Sequence, residues 1–249
     1  VSYKRNLNRA FDATHICKLP NLLVSGCSFT YNNSNEHVCS WPYYLRDLFD
    51  FDKVFDCSQS GAGSNHIFNS VINEIENDKY ITCENTLVVI AWSGLTRTDV
   101  IASSEITKPW HHMSNYDFND KFSTLSIFNL TKGKTDLDNL CKMYKTYIDV
   151  EAQILESAFK IIALKNYLEN KKMKHVFVQY QDLTDEINYL EPLVKSQTLK
   201  CFDNIESIGS YSKEFESDGH PTPNGYLAWT KDCLIPHLLN KYSAFFQKL

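Results

Sequence analysis

Asn21-Leu22-Leu23-Val24-Ser25-Gly26-Cys27-Ser28-Phe29-Thr30 is the stretch whose reading decides the fold. Residues suited to a buried strand run into Gly26, and the run stops at a small polar cluster that leads into a helix-like segment. A central parallel strand that ends this way presents the next side chains to the crevice above the sheet, where open α/β folds place their ligands. Ser28 carries the hydroxyl in that position. Two roles suit it: a nucleophile held at the strand's end, or an N-cap whose oxygen accepts a free N–H of the following turn.

Working outward, strand, turn and helix keep alternating. Ser40 stands as a cap before a helical run from Trp41 to Phe49, with Pro42 tolerated in its first turn. Residues 53–58 read as a second strand, followed by the glycine-containing turn Gln59-Ser60-Gly61-Ala62-Gly63-Ser64. A helix over 65–77 places Ile67, Val71, Ile72 and Ile75 on one side. The third strand, Thr86-Leu87-Val88-Val89-Ile90-Ala91-Trp92, is continuously apolar, as a strand buried on both faces must be. From 98 to about 140 no period is sustained, and a segment of that length reads as a lid-like insertion; it carries Trp110, His111, His112, Tyr116 and Phe118. A helical pattern resumes over 141–172, and 175–180 form the next strand. Residues 182–210 are weakly patterned, and the turn-rich loop 217–225 opens a last helix from Tyr226 to about Phe246. The alternation predicts a three-layer α/β/α sandwich with a central parallel sheet and right-handed crossovers. Residues 1–20, mixed and basic-leaning, are expected to form an N-terminal arm on its outside.

At 249 residues the chain is long enough for one substantial core, so a single domain over 1–249 is the expectation. Hydrophobic residues at 43% and charged residues at 22% are ordinary globular usage. A net charge of -5 argues against nucleic acid as a partner, since a phosphate backbone calls for a basic surface. No apolar run reaches membrane-spanning length, and Val1-Ser2-Tyr3-Lys4-Arg5 lacks the apolar core of a secretory signal, which predicts a cytoplasmic protein with no membrane partner. The eight cysteines are scattered, with no Cys-x-x-Cys pair, and read as free thiols of a reducing compartment. His111-His112 has no third ligand at metal spacing.

In a parallel sheet the loops after the first three strands, and the loop before the last helix, lie at one edge. They carry Ser28; Gly61 and Asn65; Ser93 through Arg97; and Asp218 and His220. A serine hydroxyl is a weak nucleophile at neutral pH. It needs an imidazole to take its proton and donors to hold the oxyanion that develops on the attacked carbonyl, and both types are present. Cys27 is a rival nucleophile, although a small thiol at a tight turn suits packing as well.

Gly26-Cys27-Ser28-Phe29-Thr30 resembles the first block of SGNH/GDSL hydrolases. Ser60-Gly61-Ala62 with Ser64-Asn65 resembles their second, and Asp218-Gly219-His220-Pro221 followed by Asn224-Gly225-Tyr226 their fifth. The resemblance implies a flavodoxin-like SGNH-hydrolase fold acting as a metal-independent serine esterase with no cofactor. Ser28 would attack the ester, His220 serve as base and then acid, and Asp218 orient the imidazole. The N–H groups of Ser28 and Gly61 would form part of the oxyanion hole, and a small-molecule or carbohydrate ester, acetyl first, would be the substrate. An O-acyltransferase uses the same acyl-enzyme, and a non-catalytic glycan-binding or assembly module could keep the same fold.

The chain departs from the family pattern at three places. Cys27 replaces the usual Asp. The third block's Gly-x-Asn-Asp is replaced by Trp92-Ser93-Gly94-Leu95-Thr96-Arg97, which leaves Ser93 or Asn65 to supply the missing donor. Arg97, there or on a substrate anion, supplies charge. Asp218 precedes His220 by two residues where the family has three. Trp110 in the insertion is a candidate to stack on a sugar or acyl group.

Overall fold

A computed structural model describes residues 19–31, 40–49, 51–97, 99–103, 115–119, 122–126 and 149–247. Four strands form a parallel sheet: β1 (Leu19–Gly26), β2 (Phe51–Asp56), β3 (Thr86–Trp92) and the later β7 (Lys174–Gln179). Their spatial order is β2-β1-β3-β7, which is the flavodoxin-like order for a chain that crosses over after its second strand. Val24 stands beside Asp56 on one side and Val89 on the other, and Ala91 pairs Val178, so all four strands end together at one edge.

Helices cover both faces. On one, α2 (Ser64–Asn77) packs against α3 (Val150–Asn170). On the other, α1 (Trp41–Phe49) meets the C-terminal helical segment, where Trp41 lies edge-on to Trp229 at 6.1 Å. Leu22 to Val24, Leu87 to Ala91 and Val176 to Val178 are buried between the layers, which is why these strands read as unbroken apolar runs.

The Ser40 hydroxyl donates to the Thr30 carbonyl at 2.8 Å and ties the start of α1 to the Ser28 turn. Two expectations change. The insertion contains regular structure: β4 (Asp99–Ser103), β5 (Asn115–Asn119) and β6 (Phe122–Ser126) make a separate antiparallel sheet ordered β4-β6-β5 against α2. Strands of five residues give too few alternations to register as a period. The last helix is also interrupted. After β7 come α4 (Thr184–Ile187), α5 (Pro192–Leu199) and α6 (Ile208–Tyr211), then α7 (Pro223–Trp229), a π-turn over Thr230–Leu234, α8 (Ile235–Lys241) and α9 (Ser243–Gln247). Pro236 has no N–H to donate and its ring crowds the carbonyl four residues back, so the helix widens by one residue just before it. The N-terminal arm lies outside the described residues, apart from the first two residues of β1.

Candidate active site

Ser28 sits, half-buried, on a single tight turn in which the N–H groups of Thr30 and Tyr31 both donate to the Cys27 carbonyl at 2.9 Å. The next described helix is the expected one, starting at Trp41. Trp41 Nε1 donates to Thr30 Oγ1 at 3.3 Å, so the turn is braced by α1. Cys27 is fully buried, and burial pushes its thiol above the ordinary value, which suppresses the thiolate a cysteine nucleophile needs.

A row of rings joins the loops. The Phe29 ring lies 4.8 Å from the His220 imidazole on one side and 4.9 Å, edge-on, from Tyr180 on the other. The Arg97 guanidinium sits over Tyr180 at 5.1 Å. Phe29 follows Ser28 directly, so this row sets the Ser28 turn between the loop before α7 and the loop after β3.

At His220, Nε2 is buried and has no hydrogen-bond partner among the described residues, Ser28 Oγ included. Nδ1 lies 3.0 Å from Asp218 Oδ1 without the geometry of a hydrogen bond. The His220 backbone N–H donates to the same oxygen at 3.0 Å, and this bond above all holds the Asp218 carboxyl below its usual range. Gly219 makes the two-residue spacing workable: its φ of +85°, in the left-handed region, folds Asp218 back over His220. The Asp218 side chain is 66% exposed, so solvent screens what it contributes.

On the other side of Ser28, Gln59 N–H donates to the Gly26 carbonyl at 3.0 Å and fastens the second loop to the first. Gly61 follows with φ +77°. Asn65 Nδ2 donates to the Asp99 carbonyl at 2.9 Å and so holds the start of β4. Ser93 is buried at the end of β3, and its Oγ has no hydrogen-bond partner among the described residues. Trp110 and the pair His111-His112 lie outside the described residues.

Two carboxylates of the site were not found by sequence reasoning. Asp99 Oδ2 accepts from the N–H groups of Gly63 at 2.8 Å and His66 at 2.9 Å, capping a helix whose own N-cap residue, Gly63, has no side chain to do so. Burial pushes Asp99 up to about 7, against the pull of those two bonds. Glu186, on α4, accepts the Leu95 N–H and also bonds that of Thr96, and burial raises it too. A capping residue placed thirty-odd positions after its helix, and a strut ninety after its loop, leave no local pattern to read. A wide groove of about 630 Å³ opens elsewhere, beside α5, lined by Leu190, Lys195 and Leu199 among others. It contains none of the residues above.

No family model matches the chain, and no curated protein matches it. Solved structures do resemble it. TesA shares 14% identity, with 88% of this chain and 97% of that one covered, at a TM-score of 0.46. A putative acylhydrolase from Bacteroides fragilis shares 13% over 97% and 98% of the two chains, TM-score 0.45. The psychrotrophic esterase EstA from Pseudoalteromonas sp. shares 12% over 92% and 99%, TM-score 0.42. The likeness is one of chain fold.

Proposed function

We propose that this protein is a serine esterase that works through an acyl-enzyme on Ser28. The observation that carries the reading is the His220 imidazole packed on Phe29, one residue from Ser28, with Nε2 buried and lacking a hydrogen-bond partner among the described residues. A buried imidazole nitrogen left in that state is costly unless a hydroxyl or substrate comes to it.

In the proposed reaction Ser28 Oγ attacks the ester carbonyl and passes its proton to His220 Nε2. The backbone N–H groups of Ser28 and Gly61 hold the oxyanion, with Ser93 Oγ–H as the third donor. Ser93 is preferred to Asn65 because Asn65 Nδ2 already serves the Asp99 carbonyl, whereas the Ser93 hydroxyl has no described partner. His220 then returns the proton to the departing alkoxide, and water repeats the sequence to release the acid. Asp218, beside Nδ1, favours the imidazolium in both half-reactions. Acetyl is the acyl group proposed first, since its methyl needs the least room beside the packed Phe29 and Tyr180 rings, and a carbohydrate hydroxyl is the proposed leaving alcohol.

The test is hydrolysis of p-nitrophenyl acetate together with labelling by a serine-directed phosphonate. Wild-type protein is expected to turn over the ester and carry the label on Ser28, and Ser28→Ala and His220→Ala are expected to lose similar amounts of rate because they act as one unit. Full activity in His220→Ala would overturn the assignment. Glycan binding without turnover or labelling would favour the binding-module reading, and diversion of acetyl to an added sugar would favour the transferase.

A further inference from the structure

The loop from Ser93 to Arg97, and Asp99 beyond it, are held at several points. Leu95 N–H donates to Glu186 Oε2, and the Leu95 carbonyl accepts from Ser157 Oγ of α3 at 2.7 Å. Ser157 Oγ in turn lies 2.9 Å from Ser64 Oγ at the start of α2, both buried. The Arg97 carbonyl packs so closely on Gly63 that a Cβ there would stand 2.3 Å from it. Asp99 closes the far end through the two N–H groups of α2 already described. On the near side, a Cβ at Gly94 would stand 3.2 Å from Glu186 Oε1 and 3.3 Å from Tyr180 Oη, so the turn carrying Ser93 rests on that carboxylate and that phenol. The Ser93 hydroxyl is buried at the near end of this segment with no described partner.

A loop fixed this firmly, with the buried Ser93 hydroxyl lacking a described partner, has the form of a preorganised electrostatic site. Its benefit is that the donor needs no reorganisation when charge develops. Most of the grips come from residues whose removal would disturb the core. Glu186 differs, because it sits half-buried on a four-residue helix, bonds the turn next to Ser93 and feels the Arg97 charge.

We propose that Glu186 is a positioning residue of this site: by holding the N–H groups of Leu95 and Thr96 it fixes the Ser93 turn, and through Ser93 it aids the oxyanion step. The inference rests on the esterase reading above. A carboxylate suits the role because it can accept two adjacent backbone N–H groups at once, where an amide offers a single oxygen.

A double-mutant cycle on p-nitrophenyl acetate hydrolysis tests it, with phosphonate labelling of Ser28 run alongside. Glu186→Ala is expected to lower kcat about tenfold with KM within about twofold, since a donor displaced by a fraction of an ångström loses part of its worth. Glu186→Gln, which keeps one acceptor, is expected to recover about half of that loss on a logarithmic scale. Ser93→Ala is expected to lose about a hundredfold, and adding Glu186→Ala to it is expected to cost less than about twofold more. Losses that multiply in the double variant would mean that Glu186 acts independently of Ser93 and would overturn the proposal. So would a Glu186→Ala enzyme with wild-type kcat. Should Glu186→Ala unfold, judged by circular dichroism, the Glu186→Gln and Glu186→Gln/Ser93→Ala pair gives the same two-way decision. A wild-type protein that neither turns over ester nor takes the label would instead remove the esterase reading itself, and this inference with it.

Discussion

At the scale of single residues, the unusual third loop is the most informative feature. An oxyanion donor is typically worth about 3 kcal/mol of barrier, and under the proposed reading Ser93, buried with its Oγ lacking a described partner, supplies one. Ser93→Thr, which keeps the hydroxyl, is expected to retain more activity than Ser93→Ala, measured as kcat on p-nitrophenyl acetate at saturation. Asp218 has a smaller part: exposed, it approaches the imidazole without the geometry of a hydrogen bond. Asp218→Asn is therefore expected to lower kcat by no more than about tenfold, because solvent screens an exposed charge pair. A loss comparable to that of His220→Ala would show that the carboxylate closes on Nδ1 during turnover.

Elements matter through the way they are joined. Gly219 has open space around its missing Cβ, so the cost of a side chain there is purely that of the left-handed backbone, about 1 kcal/mol. Gly219→Ala is expected to show that loss in urea unfolding and a fall in kcat as well, because relaxing the turn swings Asp218 away from His220. Asp99 joins the insertion to α2. Its folded-state value of about 7 lies above the usual carboxyl value, so the folded protein holds this proton more tightly than the unfolded chain does. Stability from this group is therefore fully present at low pH and is lost as pH rises from about 4 towards 7. Asp99→Asn does not titrate; relative to it, the wild-type protein is expected to lose stability over that window, on the order of 4 kcal/mol in all. A difference between the two proteins that stays constant with pH would contradict the buried-carboxyl account.

For the molecule as a whole, two buried groups set the response to acid and to truncation. His66 is fully buried, its Nε2 lies 2.8 Å from the Cys57 carbonyl and so carries the proton, and burial lowers its value to about 4. The neutral ring's contribution is present above about 6.5 and is lost as pH falls towards 4, roughly 3 kcal/mol by the same linkage. Between pH 4 and 6.5 His66 and Asp99 oppose one another, and Asp99→Asn should expose the His66 slope alone in pH-dependent urea melts. Trp229 is buried against Trp41, with Nε1 donating to the Glu206 carbonyl at 2.8 Å. Trp229→Ala is expected to cost about 3–5 kcal/mol, a large part of the 5–15 kcal/mol that holds an ordinary domain together. Because Trp41 also braces Thr30, this variant is expected to slow Ser28 labelling even where it remains folded.

The alternation of the first three strands with α1 and α2, the parallel sheet and the loops that share its edge were determined by the sequence itself, since buried strands must be apolar and tight turns must carry small residues. Ser28, Gly61, Ser93 and His220 could be nominated from that pattern because each follows or precedes a legible element. Tertiary structure alone decided what these residues do for one another. The stacking of Phe29 on His220, the glycine that lets Asp218 reach back, the diversion of Asn65 to Asp99, and the grip of Glu186 on the Ser93 turn all join residues through packing and hydrogen bonds across distant parts of the chain. Such contacts depend on three-dimensional closeness, which carries no period and no fixed spacing along the sequence.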